Sequence, residues 1–219
     1  MYDFNFHSAS SADDAAAKLA ASDDGSVMAG GQTLIPVLKQ RLANPSDVIS
    51  LAGAGLSGIT KNGDGVTIGA TTTHAAVAGS GDVPAALRSV AEGIGDAQVR
   101  NRGTLGGSIA NNDPAADYPA AVLGLGATVH TTGGDIQADD FFTAMFETAL
   151  GDGDVITAVS FPASDMAAYA KFDHPASRYA LVGVFVAKGP SGVRVAVTGA
   201  GPYVYRQTDM EAALSAVFS

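Results

Sequence analysis

The chain has 219 residues, 47 % of them apolar, and a net charge of −10 at neutral pH. That suits a globular protein of one large domain or two modest ones, and it excludes a disordered chain and disfavours a polyanionic partner such as nucleic acid. With no cysteine, this chain cannot carry disulfides, thiol catalysis or thiolate-held zinc or iron–sulfur clusters, and its four scattered histidines (His7, His74, His130, His174) lack ligand spacing.

In chain order, Tyr2, Phe4 and Phe6 alternate with polar residues, which predicts a strand. Ser10 or Ser11 then caps an alanine-rich helix running through Leu19. Residues 26–29 read as a short buried strand that enters Gly30-Gly31, and a helix is expected from near Thr33 through Leu42. Residues 47–50 form another strand, completing an α/β unit that ends near residue 55. A hairpin follows around Asn62-Gly63-Asp64-Gly65, then helical segments at 73–78 and 84–91. Residues 93–117 are rich in glycine and asparagine, 120–129 read as buried, and 155–161 as a strand. A second boundary falls near Ser164. Beyond it lie a strand or helix at 167–172, a hairpin of 180–187 with 193–198 joined through Gly189-Pro190-Ser191-Gly192, and a helix at 209–217.

No apolar run is long enough to span a bilayer, and the N-terminus lacks the basic start and apolar stretch of a signal peptide. A cytoplasmic protein without a transmembrane segment is therefore expected.

Two glycine motifs carry the chemistry. In Ala29-Gly30-Gly31-Gln32-Thr33, a strand runs into a glycine pair before a helix. Such a turn exposes backbone N–H groups that can cradle a phosphate, although a plain strand–helix turn has the same appearance. It is neither the G-x-G-x-x-G fingerprint nor a P-loop. The second motif is Thr104-Leu105-Gly106-Gly107-Ser108, followed by Ala110, Asn111 and Asp117. Its small residues allow a ligand close to the backbone. Asp117 can accept hydrogen bonds from a ribose, or it can cap a helix before Pro119. Two such loops in one small protein point to one extended, phosphate-containing ligand held at both ends.

Four stretches occurring in this order, AGGQTLIPVLKQRLANPSDVISL, VTIGATTTHAAV, IGDAQVRNRGTLGGSIANNDPAADYPAAVLGLGATV and YAKFDHPASRYALVGVFVA, resemble the medium, FAD-binding subunit of molybdenum hydroxylases of the carbon monoxide dehydrogenase and xanthine dehydrogenase type. The resemblance implies an α+β protein. Two FAD-binding subdomains of the PCMH type (residues 1–55 and 56–164) precede a C-terminal antiparallel sheet with helices (165–219), which looks shortened against the family. It implies FAD as the cofactor, and as partners an iron–sulfur small subunit and a molybdenum large subunit in a hetero-oligomer. Electrons would pass through FAD to NAD or a quinone-type acceptor.

By resemblance, Ala29 to Thr33 with Leu34 and Ile35 wrap the pyrophosphate and approach the flavin, while Thr104, Gly106, Gly107 and Ser108 give a second phosphate grip. Ala110, Asn111 and Asp117 line the ribose, and Ile94 and Leu150 border the adenine. Lys171 lies near the cofactor and Tyr179 beside the isoalloxazine. No acid–base pair is legible, so no catalytic residue is expected. The alternatives are a self-contained FAD-dependent oxidoreductase of the same fold and a flavin-less assembly subunit. Gln32 stands where relatives often have histidine or asparagine, and Asp173-His174-Pro175 replaces a basic pair.

Overall fold

The computed structural model describes residues 1–190 and 192–217. Ser191, placed above in the turn of the last hairpin, lies outside them, as do Phe218 and Ser219.

The first segment holds β1 (Asn5–Ser8), α1 (Ala12–Ala20), β2 (Gly25–Met28), α2 (Leu34–Lys39) and β3 (Asp47–Ser50). The three strands form a parallel sheet in the order β1-β3-β2. Helix α1 starts where the Ser11 hydroxyl accepts the Asp14 N–H, while the Asp14 carboxylate accepts the Ser10 N–H, a reciprocal cap one residue out of its usual register. The predicted first strand is displaced: pairing starts only at Asn5, and Phe6 is 56 % exposed. Tyr2 lies outside the sheet beneath the Arg41 guanidinium. The alternation there is real but does not face a core.

The second segment holds β4 (Ile59–Asn62), β5 (Gly65–Gly69), α3 (His74–Gly79), α4 (Ala85–Glu92), α5 (Ala97–Arg100), α6 (Leu105–Asn111), α7 (Tyr118–Leu125), β6 (Thr128–Thr131), β7 (Gly134–Gln137), α8 (Ala138–Phe141), β8 (Phe142–Ala144), β9 (Glu147–Thr148) and β10 (Ile156–Phe161). Five of its strands form an antiparallel sheet ordered β4-β5-β10-β6-β7. Helix α7 is buried along its whole length and stops at Gly126 in the left-handed region, φ 63°.

The third segment holds β11 (Met166–Asp173), β12 (Ala180–Gly189), β13 (Gly192–Thr198), β14 (Tyr205–Arg206) and α9 (Thr208–Val217). Its sheet is antiparallel in the order β11-β12-β13-β14. The segment 167–172, open between strand and helix on sequence, is strand.

The sheets change near residues 55 and 164, but the core does not break at 164. Phe185, Ala187, Ala196 and Val204 of the third segment belong to the same buried cluster as α6, α7 and β10. Helix α7 lies directly on β12, and a Cβ on Gly124 would fall 2.7 Å from the Phe185 ring. The Thr198 hydroxyl also donates to the carbonyls of Pro114 and Ala116, tying β13 to the loop before α7. Truncating the fully buried Phe185 to alanine should therefore cost about 3–5 kcal/mol. Hydrogen exchange should show protection falling together in β10 and β12; loss confined to the third sheet would show two separate cores.

Candidate functional site

The first glycine loop leaves β2 and turns into α2 with Gly31 at φ 72°, in the left-handed region that favours glycine. A side chain there would also meet the Ile35 methyl at 2.6 Å. The backbone N–H groups of Gly30, Gly31, Gln32, Thr33 and Leu34 donate to no group among the described residues. Helix α2 has six residues and no side-chain cap from Thr33, so these loop amides, and not a long helix dipole, are the groups available to an anion.

The second motif is helical, which its glycine content masked: each glycine costs a helix roughly 1 kcal/mol. Thr104 compensates as the N-cap, its hydroxyl accepting the Gly107 N–H at 3.2 Å. Leu105, Gly106 and Ile109 face the core, with Gly106 pressed on Ala70 so that a Cβ would lie 2.7 Å from the Ala70 methyl. Gly107 and Ala110 lie exposed on the other face, with Ser108 and Asn111 half-buried. The backbone amides of the two glycines expected in the second phosphate grip are engaged within the protein. Gly106 N–H donates to Ala70 O at 2.9 Å and Gly107 N–H to Thr104. The second motif therefore supplies a small-residue surface and the Ser108 and Asn111 side chains, not a second ring of amides.

The loops converge. A Cβ on Gly30 would sit 1.9 Å from the Arg102 carbonyl oxygen and 3.0 Å from the Gly103 Cα. Around this crossing opens a cleft of about 790 Å³, within the ordinary range of about 300–1,000 Å³ for cofactor pockets. It is lined by Ala29, Gly30, Gly31, Gln32, Thr33 and Leu34 from the first loop, and by Thr104, Gly106, Gly107, Ser108, Ala110 and Asn111 from the second motif. Ile94, Asp117, Leu150 and Tyr179 complete the set of predicted residues found there. The lining also includes His74, Gly103, Asp113, Asp154 and Arg178, which the sequence did not single out. His74 follows a run of three threonines and reads as ordinary helix-start sequence, so only its burial in the fold marks it.

Two predicted residues lie elsewhere. Ile35 packs back under Gly31 instead of lining the cleft. Lys171 is 7 % exposed and sits behind the wall. Its ammonium donates to Gly93 O at 2.8 Å, Arg178 O at 3.0 Å and Asp117 Oδ2 at 3.1 Å, with Asp173 Oδ1 a further 3.1 Å neighbour. It braces three segments that each border the cleft, and these contacts occupy its donors.

The charged side chains lining the cleft are Asp113, Asp117, Asp154 and Arg178. Each acid accepts from the protein: Asp113 from Ala115 N–H, Asp154 from Gly151 N–H, and Asp117 from the Tyr169 hydroxyl and Lys171. Burial raises the Asp117 carboxyl above the usual carboxylate range, against those two hydrogen bonds. Asp117 stands at the start of α7 but does not cap it through its side chain. Burial, then the Tyr179 neighbours Asp113 and Asp117, raise that phenol. Burial, then the Arg100 charge, pull His74 down to about 4, so its ring is neutral at pH 7.

Residues 2–164 match the family model described as the FAD binding domain in molybdopterin dehydrogenase. The chain belongs to that family. It is 36 % identical to the nicotine 6-hydroxylase medium subunit of Paenarthrobacter nicotinovorans, an alignment covering 96 % of this chain and 79 % of the relative. It is 35 % identical to the carbon monoxide dehydrogenase medium chain of Afipia carboxidovorans, over 90 % of this chain and 73 % of the relative. Among solved structures, a carbon monoxide dehydrogenase from Hydrogenophaga pseudoflava superposes with a TM-score of 0.89 at 33 % identity, covering 96 % of this chain and 79 % of that one.

The chain is thus an FAD-binding medium subunit of the molybdenum hydroxylase type, and FAD is its cofactor. The site fits that group: unpartnered loop amides suit a diphosphate, and the small-residue face of α6 leaves room beside them. Among the described residues no helix is long and apolar enough to cross a membrane.

Two outcomes follow from this geometry. Gly30→Ala forces the loops apart and should weaken FAD binding at least about tenfold, the equivalent of one lost charge-assisted hydrogen bond, in a fluorescence-quenching titration. Stability held by neutral His74 is full above pH 6.5 and is lost as pH falls toward about 4, a loss on the order of 3 kcal/mol. Denaturant titrations across that window should show His74→Phe flattening the acid-side decline; an unchanged slope would place the pH sensitivity elsewhere.

Proposed function

We propose that this chain is the electron-transfer module of a hetero-oligomeric molybdenum hydroxylase. In this reading substrate is oxidised at a molybdenum cofactor on a large subunit, and electrons reach this chain from iron–sulfur clusters on a small subunit. They leave to NAD or a quinone-type acceptor. FAD, when bound, supplies the ability to exchange one or two electrons, which joins single-electron clusters to a two-electron acceptor. The observation that carries the reading is the crossing of the two glycine loops, with five unpartnered amides, in a chain that has no cysteine to hold a cluster of its own. The relatives' description as medium subunits and medium chains supports the partner assignment.

Within this reading the amides of Gly30, Gly31, Gln32, Thr33 and Leu34 hold the diphosphate. Ala29, Gly106, Gly107 and Ala110 keep the walls low so that the cofactor lies close to the backbone. Ser108, Asn111 and Asp117 orient the sugar hydroxyls. Ile94 and Leu150 exclude water from the adenine, and Tyr179 shields the isoalloxazine. None of these groups is asked to move a proton.

The purified chain should carry near one equivalent of FAD, identified after release and seen as flavin absorption bands. Under anaerobic conditions the bound flavin should be bleached by the reduced iron–sulfur partner and left unchanged by hydroxylase substrates alone. Turnover of a substrate by the isolated chain would favour a self-contained oxidoreductase. A folded, colourless chain that refuses added FAD would contradict the proposal.

A further inference from the structure

One buried polar side chain in the cleft has no role in the reading above. His74 opens α3 and is 4 % exposed. Its backbone N–H donates to Gly103 O at 3.0 Å, but its ring Nδ1 has no hydrogen-bond partner among the described residues, and Nε2 makes no hydrogen bond either. The ring rests on Tyr118, centroids 5.3 Å apart and planes at 45°. An orphaned buried polar group costs about 1–3 kcal/mol, and native structures seldom keep one without a reason. Phenylalanine or leucine would fill the same apolar space without that penalty.

The surroundings indicate what the other ring nitrogen, Nε2, can reach. The Nε2 edge faces Gly103 so closely that a Cβ there would lie 2.6 Å from it. Gly103 is also where the first loop crosses, beneath Gly30. The ring therefore lies under the junction of the two loops and lines the cleft. The cheaper neutral tautomer leaves the enclosed Nδ1 bare as an acceptor and puts the proton on Nε2, since a buried unpaired donor is rarer than a buried unpaired acceptor.

We propose that His74 is a further cofactor-contacting residue, its Nε2–H donating to the diphosphate end of FAD where the two glycine loops cross. This rests on the FAD-module reading and adds a side-chain donor to a cradle otherwise made of amides. The three acids of the cleft supply no donor there, and Arg178 is the lining cation. A neutral donor also grips the phosphate without needing a second buried charge to balance it when the cofactor is absent.

The test uses the full chain freed of flavin and titrated separately with FAD, ADP and riboflavin. His74→Phe should weaken FAD and ADP at least about tenfold and leave riboflavin unchanged, and His74→Gln, which keeps a donor, should recover most of the loss. Melting temperature and far-UV circular dichroism report the fold of each variant. Because a variant can fail to fold, the wild-type histidine side-chain ¹⁵N–¹H spectrum is recorded alongside. The His74 signals should shift with ADP and stay still with riboflavin. ADP binding that leaves those signals unmoved, or an equal loss of ADP and riboflavin in His74→Phe, overturns the contact and makes the ring a packing residue. A wild-type chain that binds neither FAD nor ADP overturns the module reading itself.

Discussion

Everything around the cleft follows from one steric constraint, the approach of two backbones at Gly30 and Arg102–Gly103. No side chain fits between them: a single added carbon would overlap the Arg102 carbonyl at 1.9 Å. Closing that gap brings the strand end of the parallel sheet against the helical segment before α6. It also leaves five loop amides without protein acceptors. Backbone amides without a protein acceptor need water or an anion to complete them.

The electrostatics of the chain sharpen the point. An acidic protein binding a dianionic cofactor has little long-range attraction to offer, and three of the four charged side chains in the cleft are carboxylates. Attraction must therefore be local and dipolar. The acids are held back by their own donors, most tightly Asp117, which is fixed between Tyr169 and Lys171. The third sheet acts here as more than an appendage. It supplies Tyr169 and Lys171, which hold the lining residue Asp117 from behind, and the turn bearing Arg178 and Tyr179 to the wall itself, and it shares a single core with α7.

Much of this was legible in the sequence, and the remainder was hidden for physical reasons. The hairpin at Asn62–Gly65, the strand at Asp47–Ser50 and the glycine loop after β2 have local signals, in turn chemistry and short apolar runs, and the structure places them accordingly. Helix α6 was hidden because glycine argues against helix locally, and the long-range press of Gly106 on Ala70, beside the Thr104 cap, explains why it is tolerated. Sixteen of the eighteen residues expected around the cofactor line one cleft. Lys171 stands behind the cleft wall for a reason no local signal carries: Gly93, Asp117 and Arg178, far apart in sequence from one another, converge with its strand neighbour Asp173 on its ammonium. His74 was missed for the converse reason, since nothing local distinguishes an orphaned imidazole from a helix-start residue.

The most direct measurement of the central claim is hydrogen–deuterium exchange of the peptide spanning residues 28–35, in the flavin-free chain and again with FAD bound. Fast exchange without FAD and strong protection of the Gly30–Leu34 amides with it is the expected result. Protection that appears only in the second motif or the third sheet, with this loop unchanged, would contradict the assignment of the diphosphate to the first glycine loop.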